Sequence, residues 1–283
     1  MQLIPGHLLD AKWGETIGLL GYDVTVDDRG PTLDLTLYWQ ALAPIKEDYV
    51  LALQLVSPVA GDTTLRWNYN SWPGHGNYPT SAWRPGEVVA DRYRVQLPQS
   101  DWATQAWQLQ PIFYHQETGE RLLVKVDDQP EEDALPLTVL RVEGRRPDCS
   151  TETATSRPLT LGDAVDLTHA SVSQQGNELI VTLCWASRRP VSEDYVVFVH
   201  LYDAQGALVE TGDGPPMEGA FPTHLWQTGD VVRDVRRLTL PPGLSLAQAQ
   251  IGVGLYGPED GKRLAVVQGA ARQPNDEVAI WPR

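Results

Sequence analysis

Apolar residues fall at every second position over two stretches that read alike: Leu33, Leu35, Leu37 and Trp39, then Leu179, Val181, Leu183 and Trp185. Successive Cβ atoms of a strand point to opposite faces, so this period of two predicts β-strands with one buried face. Trp13-Gly14-Glu15-Thr16-Ile17-Gly18-Leu19 and Leu161-Gly162-Asp163-Ala164-Val165-Asp166-Leu167 predict the first strand of each half, entered through a Gly-acid turn. Glu47-Asp48-Tyr49-Val50 and Glu193-Asp194-Tyr195-Val196 each open a further strand, running through Leu55 or Leu201. Those strands lead into tight turns at Val59-Ala60-Gly61-Asp62 and Asp203-Ala204-Gln205-Gly206. Strands over 88–97 and 231–240, stopped by Pro98 and Pro241, precede strands over 109–114 and 251–256. Residues 135–142 and 278–281 supply closing strands, and neither half carries a long amphipathic helical pattern.

The same phrase occurs twice. Residues 76–91 read Gly-Asn-Tyr-Pro-Thr-Ser-Ala-Trp-Arg-Pro-Gly-Glu-Val-Val-Ala-Asp, and residues 219–234 read Gly-Ala-Phe-Pro-Thr-His-Leu-Trp-Gln-Thr-Gly-Asp-Val-Val-Arg-Asp. Residues 1–145 and 159–283 are therefore expected to be two all-β units related by an internal repeat, joined by a polar, aperiodic linker over 146–158. Seven or eight short strands per half predict tandem β-sandwiches, immunoglobulin-like or jelly-roll in topology, because two sheets bury their alternating faces against each other.

Composition narrows the partners. Hydrophobic residues make up 42% of the 283, enough for a core in each half. The net charge is −15, and no basic cluster interrupts the acidic background, which argues against nucleic acid and anionic lipid. No run approaches the ~18 apolar residues of a membrane span, so the chain reads as soluble in itself. Cys149 and Cys184 are too few for a disulfide framework, and two free thiols are the default expectation, with one bridge as the alternative. The pattern sets no oligomeric state.

The phrases GYD, LTLYW, EDYVVFVHLYD, GxxPTxxWxxGxVVxD and TGERL resemble those of β-sandwich domains that follow the membrane-spanning part of bacterial glycosyltransferase-like proteins, often in tandem. The resemblance implies an extracytoplasmic appendage beside glycan-handling or envelope machinery, attached to a membrane protein. One departure is that the first half reads Gln54-Leu55-Val56 where the second reads Val199-His200-Leu201, so a role for His200 is not shared.

Candidate ligand contacts cluster at Trp67, Tyr69, Trp72, His75 and Asn77. Flat aromatic faces pack on the C–H face of a sugar ring, and nearby amides hydrogen-bond its hydroxyls. The competing assignment is that such rings cover an interface or an apolar patch. Tyr78, Thr80 and Trp83, with Phe221, Thr223 and Trp226, recur in both halves and are read as structural. Asp91 and Asp234 share parity with inward-facing residues and must be bonded if buried. Arg121 and Arg263 are the matching partners, with the Pro-Thr turns as rivals, while Glu87 and Asp230 are expected to face solvent.

The six histidines lack metal-ligand spacing, and only Asp203 and Asp213 are named as a weak calcium pair. No cofactor motif, nucleophile motif or triad is present. The expected function is a non-catalytic accessory module that binds glycan through the first half. The alternatives are a structural or protein-interaction module contacting an envelope protein, and, less favoured, a sugar-acting enzyme.

Overall fold

A computed structural model describes residues 4–27, 32–97 and 102–281, and it is all-β. Contacts divide the chain into one unit of Met1–Ser100 with Trp107–Glu143 and a second of Asp101–Ala106 with Gly144–Arg283. The first unit contains β1 (His7–Trp13), β2 (Ile17–Asp27), β3 (Thr32–Ala41), β4 (Tyr49–Val56), β5 (Leu65–Ser71), β6 (Val88–Gln96), all of β7 (Gln105–His115) but its first two residues, β8 (Val124–Val126) and β9 (Thr138–Val142). The second contains β10 (Thr153–Leu161), β11 (Val165–Gln175), β12 (Glu178–Ser187), β13 (Val196–Tyr202), β14 (Leu208–Thr211), β15 (Val231–Thr239), β16 (Gln250–Tyr256), β17 (Val266–Gln268), β18 (Ala271–Arg272) and β19 (Val278–Trp281).

Each unit is a β-sandwich. The first pairs a sheet ordered β6-β3-β2-β1-β8 with one ordered β5-β4-β7-β9. The second repeats this order as β15-β12-β11-β10-β17 and β14-β13-β16-β19, adding β18 beside β17. Leu33, Leu35, Leu37 and Trp39 on β3 are buried, as are Leu179, Val181, Leu183 and Trp185 on β12. In the first unit Trp13, Trp39 and Phe113 meet edge to face, with ring centroids 5.0 to 5.7 Å apart, a favoured arrangement for aromatic pairs.

Four sequence expectations need correction. The Gly-acid turns do not open the units, because β1 and β10 precede them and pair back onto β2 and β11. Residues 146–158 are not all linker, since β10 starts at Thr153. The first closing strand begins at Thr138 rather than at residue 135. Cys149 and Cys184 are joined in a disulfide, so they are not free thiols. The bridge tethers the segment before β10 to the middle of β12, a contact between residues 35 apart that spacing alone does not reveal. Pro98, the expected stop of β6, lies outside the described residues.

No described helix is long and apolar enough to cross a membrane.

Candidate functional site

The repeated phrase forms a loop that connects β5 to β6 in the first unit and β14 to β15 in the second. Its threonine is a fastener: Thr80 Oγ1 donates to the Glu47 carbonyl (2.7 Å) and accepts from the Tyr49 N–H (2.9 Å). Thr223 does the same to Glu193 (2.6 Å) and Tyr195 (2.8 Å). The indoles of Trp83 and Trp226 donate to the carbonyls of Tyr78 (3.2 Å) and Phe221 (3.0 Å). Trp83, Phe221 and Trp226 are buried. Tyr78 is half-buried and donates its hydroxyl to Glu87 (2.7 Å), which also caps the Arg84 N–H and so is engaged rather than simply solvated.

Ahead of that fastener the backbone turns through three successive left-handed residues. They are Gly74, His75 and Gly76 (φ 64, 55 and 83) in one unit, and Met217, Glu218 and Gly219 (φ 52, 58 and 96) in the other. Residues with a Cβ lose roughly 1–2 kcal/mol there, so such a turn needs an external hold. The aspartates provide it, Asp91 accepting the Gly74 N–H (3.0 Å) and Asp234 the Met217 N–H (2.9 Å).

Their other partners were misassigned from sequence. Neither Arg121 nor Arg263 reaches them, because Arg121 pairs with Asp133 (2.8 Å) and Arg263 with Glu277 (2.9 Å). The hydroxyls of Thr80 and Thr223 are spent on backbone instead. Asp91, 2% exposed, accepts the Tyr93 hydroxyl at 2.5 Å. Asp234, 0% exposed, takes the guanidinium of Arg236, itself 7% exposed, at 2.9 Å. Both partners lie two residues along the strand, on the same face. Burial raises both carboxyls above their usual range, against the pull of Tyr93 and Gly74 on Asp91 and of Arg236 on Asp234. Desolvation and the neighbouring Asp91 charge push the Tyr93 phenol up strongly.

Tyr93 also meets two of the five candidate ligand residues, Tyr69 and His75, and Trp67 joins them through Tyr69. Trp67 and Tyr69 sit opposite the buried Leu55 and Leu53, so they project from the inner side of the edge strand β5. Their rings are parallel, 10° apart with centroids at 6.3 Å. Tyr69 meets Tyr93 at 5.7 Å, and His75 meets Tyr93 at 5.0 Å. His75 Nε2 lies 2.8 Å from the Arg92 carbonyl and therefore carries the ring proton, which leaves Nδ1 to accept from the Tyr69 hydroxyl at 3.2 Å. Trp67 and Tyr69 are half-buried and His75 is exposed, so the array lines the mouth between the two sheets.

The other two candidates have different places. Asn77 braces its own loop, donating to the carbonyls of Gly74 and His75 (3.2 and 3.3 Å). Trp72 opens the loop, and its carbonyl accepts the Gly76 N–H (2.8 Å). Tyr93 was missed as a member of the cluster, although its parity with Asp91 pointed inward.

Asp203 and Asp213 do not form a calcium pair. Asp203 caps its own turn through the N–H groups of Gln205 and Ala207, both at 2.9 Å. Asp213 stands opposite Phe198, five residues back along the strand, or about 16 Å at ~3.3 Å per residue. Among the described residues, no cluster of three or more His, Cys, Asp or Glu side chains is arranged to hold a metal ion.

No family model and no curated protein matches the chain. Among solved structures, the exo-β-D-glucosaminidase CsxA inhibited by a glucosamine-configured castanospermine and an amino-australine analogue aligns over 87% of this chain and 26% of its own. Its identity is 11% and its TM-score 0.23. A complex of a variant of the Amycolatopsis orientalis exo-chitosanase CsxA with PNP-β-D-glucosamine aligns over the same shares at 10% identity and a TM-score of 0.22. This chain thus spans about a quarter of the length of each, and at those scores the likeness carries no argument about activity.

Proposed function

We propose that the chain is a non-catalytic module that binds glycan through the edge of its first sandwich. The observation that carries this reading is a difference between equivalent positions. The first unit presents Trp67, Tyr69, His75 and Tyr93 as an ordered ring array at the mouth between its sheets. At the Tyr93 position the second unit has Arg236, which closes the mouth by donating to the carbonyls of Gly214 and Pro215 (3.1 and 2.6 Å). Since the fold is built without rings there in the second unit, their presence in the first is free to serve recognition. Parallel aromatic faces suit the apolar C–H face of a sugar.

The same proposal places the chain outside the cytoplasm, beside envelope glycan machinery. The Cys149–Cys184 disulfide supports an oxidising compartment.

The test is calorimetric titration of the full chain with a panel of soluble oligosaccharides, repeated with Trp67→Ala and Tyr69→Ala. Each substitution should weaken binding by about tenfold or more, as removal of a stacking anchor does. If binding survives both substitutions unchanged, the rings serve only to plug the sandwich edge.

A further inference from the structure

We infer that the outer face of the β5-β4-β7-β9 sheet holds a separate binding groove for a neutral saccharide. The inference rests on the chain being a glycan-binding module, but not on the ring array described above.

A groove of about 470 Å3 runs over this face, lined among others by Gln54, Val56, Asp62, Leu65, Gln108 and Gln110. That size lies within the ~300–1,000 Å3 range of small-molecule sites. The sheet register explains the lining. Gln54 pairs with Asn68 on one side and Gln110 on the other, so three carboxamides form one row across three strands. Val56 and Gln108 form the next row. The Gln110 amide donates to the Gln54 carbonyl oxygen at 3.2 Å. One bond between two carboxamides leaves a donor group and an acceptor oxygen directed at the groove, the pairing that a sugar hydroxyl needs.

Charge selects the class of saccharide. Arg121 is neutralised by Asp133 at 2.8 Å, so the groove has no free cation to hold a carboxylate or sulfate. Asp62 is held at a pKa of about 2 by the Thr64 and Ser57 hydroxyls and the Thr64 N–H, and stays ionised at any ordinary pH. An anionic glycan meets the Asp62 carboxylate there, on a chain of net charge −15. Exposed Leu65 and half-buried Val56 provide apolar contact for ring C–H groups.

The second unit shows what the face looks like when it is filled. His200 pairs with Gly252 as Gln54 pairs with Gln110, so the true counterpart of Gln54 is His200, one position from the sequence alignment. Glu277 crosses Gly252 so closely that a Cβ there would lie 1.6 Å from its Oε1. Glu277 takes hydrogen bonds from Arg263 and Tyr202, both at 2.9 Å, and Arg263 lies 4.2 Å over the Phe198 ring. Arg263 only donates, so His200 Nδ1 accepts from it (3.3 Å), and the ring proton on Nε2 faces Asp213 at 3.4 Å. Side chains thus occupy the face that Gln54 and Gln110 leave open.

The experiment uses the full chain, with cellohexaose, maltohexaose, xylohexaose and mannohexaose as neutral probes and oligogalacturonate as the anionic one, followed by calorimetry. Gln54→Ala with Gln110→Ala should weaken the best neutral probe by about tenfold, and Trp67→Ala should leave the groove contribution in place. Gln108→Trp, which fills the groove from the surface, should abolish the same binding, and matching melting curves certify that the variants fold. Neutral-probe binding unaffected by both groove variants, or preferential binding of oligogalacturonate, overturns the groove alone. Binding that depends on the groove but not on Trp67 or Tyr69 overturns the ring site alone. Absence of binding to every probe overturns both.

Discussion

At the same strand position the first sandwich sets a phenol against its buried aspartate, and the second sets a guanidinium. Asp91 with Tyr93 and Asp234 with Arg236 both hold the N–H of a strained turn, so the mechanical task is shared. What differs is the consequence for the surface. Tyr93 turns its ring toward Tyr69 and His75 and makes an aromatic mouth, whereas Arg236 spends its donors on backbone and seals it. The outer faces diverge the same way, carboxamides and a groove in one unit, an interlocked charge network in the other. One scaffold therefore carries an open unit and a closed one.

The sharpest way to break this comparison is to remove the acid from each lock. Asp234→Ala leaves Arg236 buried and uncompensated and should destabilise the second unit by about 3–5 kcal/mol. Asp91→Ala leaves only a phenol and one N–H unpaired, and the expected loss is about 1–3 kcal/mol. Urea unfolding of the two variants reads the difference directly. Equal losses would mean that the ion pair is no different from the neutral lock.

Next in size is the disulfide, present in the second unit only. Replacing Cys149 and Cys184 by serine should lower stability by about 2–4 kcal/mol, the usual range for a bridge closing a loop of this length. The transition that moves should be that of the second unit, and a shift in both would show that the bridge is not local to it.

The smallest expected effect is in pH dependence. The folded-state pKa of Asp91 lies above its ordinary value because of burial, so the folded form binds the proton more tightly than the unfolded chain. That contribution is fully present below about pH 3.9, the ordinary Asp value, and is lost as pH rises through the raised folded value. Asp91→Asn lacks this titration. Melting temperatures of wild type minus variant should therefore fall as pH rises from 4 toward 7, and a difference that rises instead would place the carboxyl in a site that favours its charge.

Much of the architecture was legible because it is local. Leu33, Leu35, Leu37 and Trp39 announce a buried face through their spacing, and parity alone placed Asp91 and Asp234 inside. The ring cluster was partly legible, since Trp67, Tyr69 and His75 stood out as aromatics without counterparts. Their anchor Tyr93 was overlooked, although it lies two residues from Asp91. The carboxamide row escaped notice altogether. Gln54, Asn68 and Gln110 are ordinary outward positions of three separate strands, and only the register aligns them.

Taken by itself, the amino-acid sequence determined most of the strands, their inward faces and the phrase that recurs in each half, because period two and turn chemistry act over a few residues. The tertiary structure alone decided the joining of Cys149 to Cys184, the diversion of Arg121 to Asp133 and of Arg263 to Glu277, and the contrast between an open and a filled outer face. Those outcomes depend on which strands lie side by side and in what register, a set of long-range pairings that no single stretch of chain encodes.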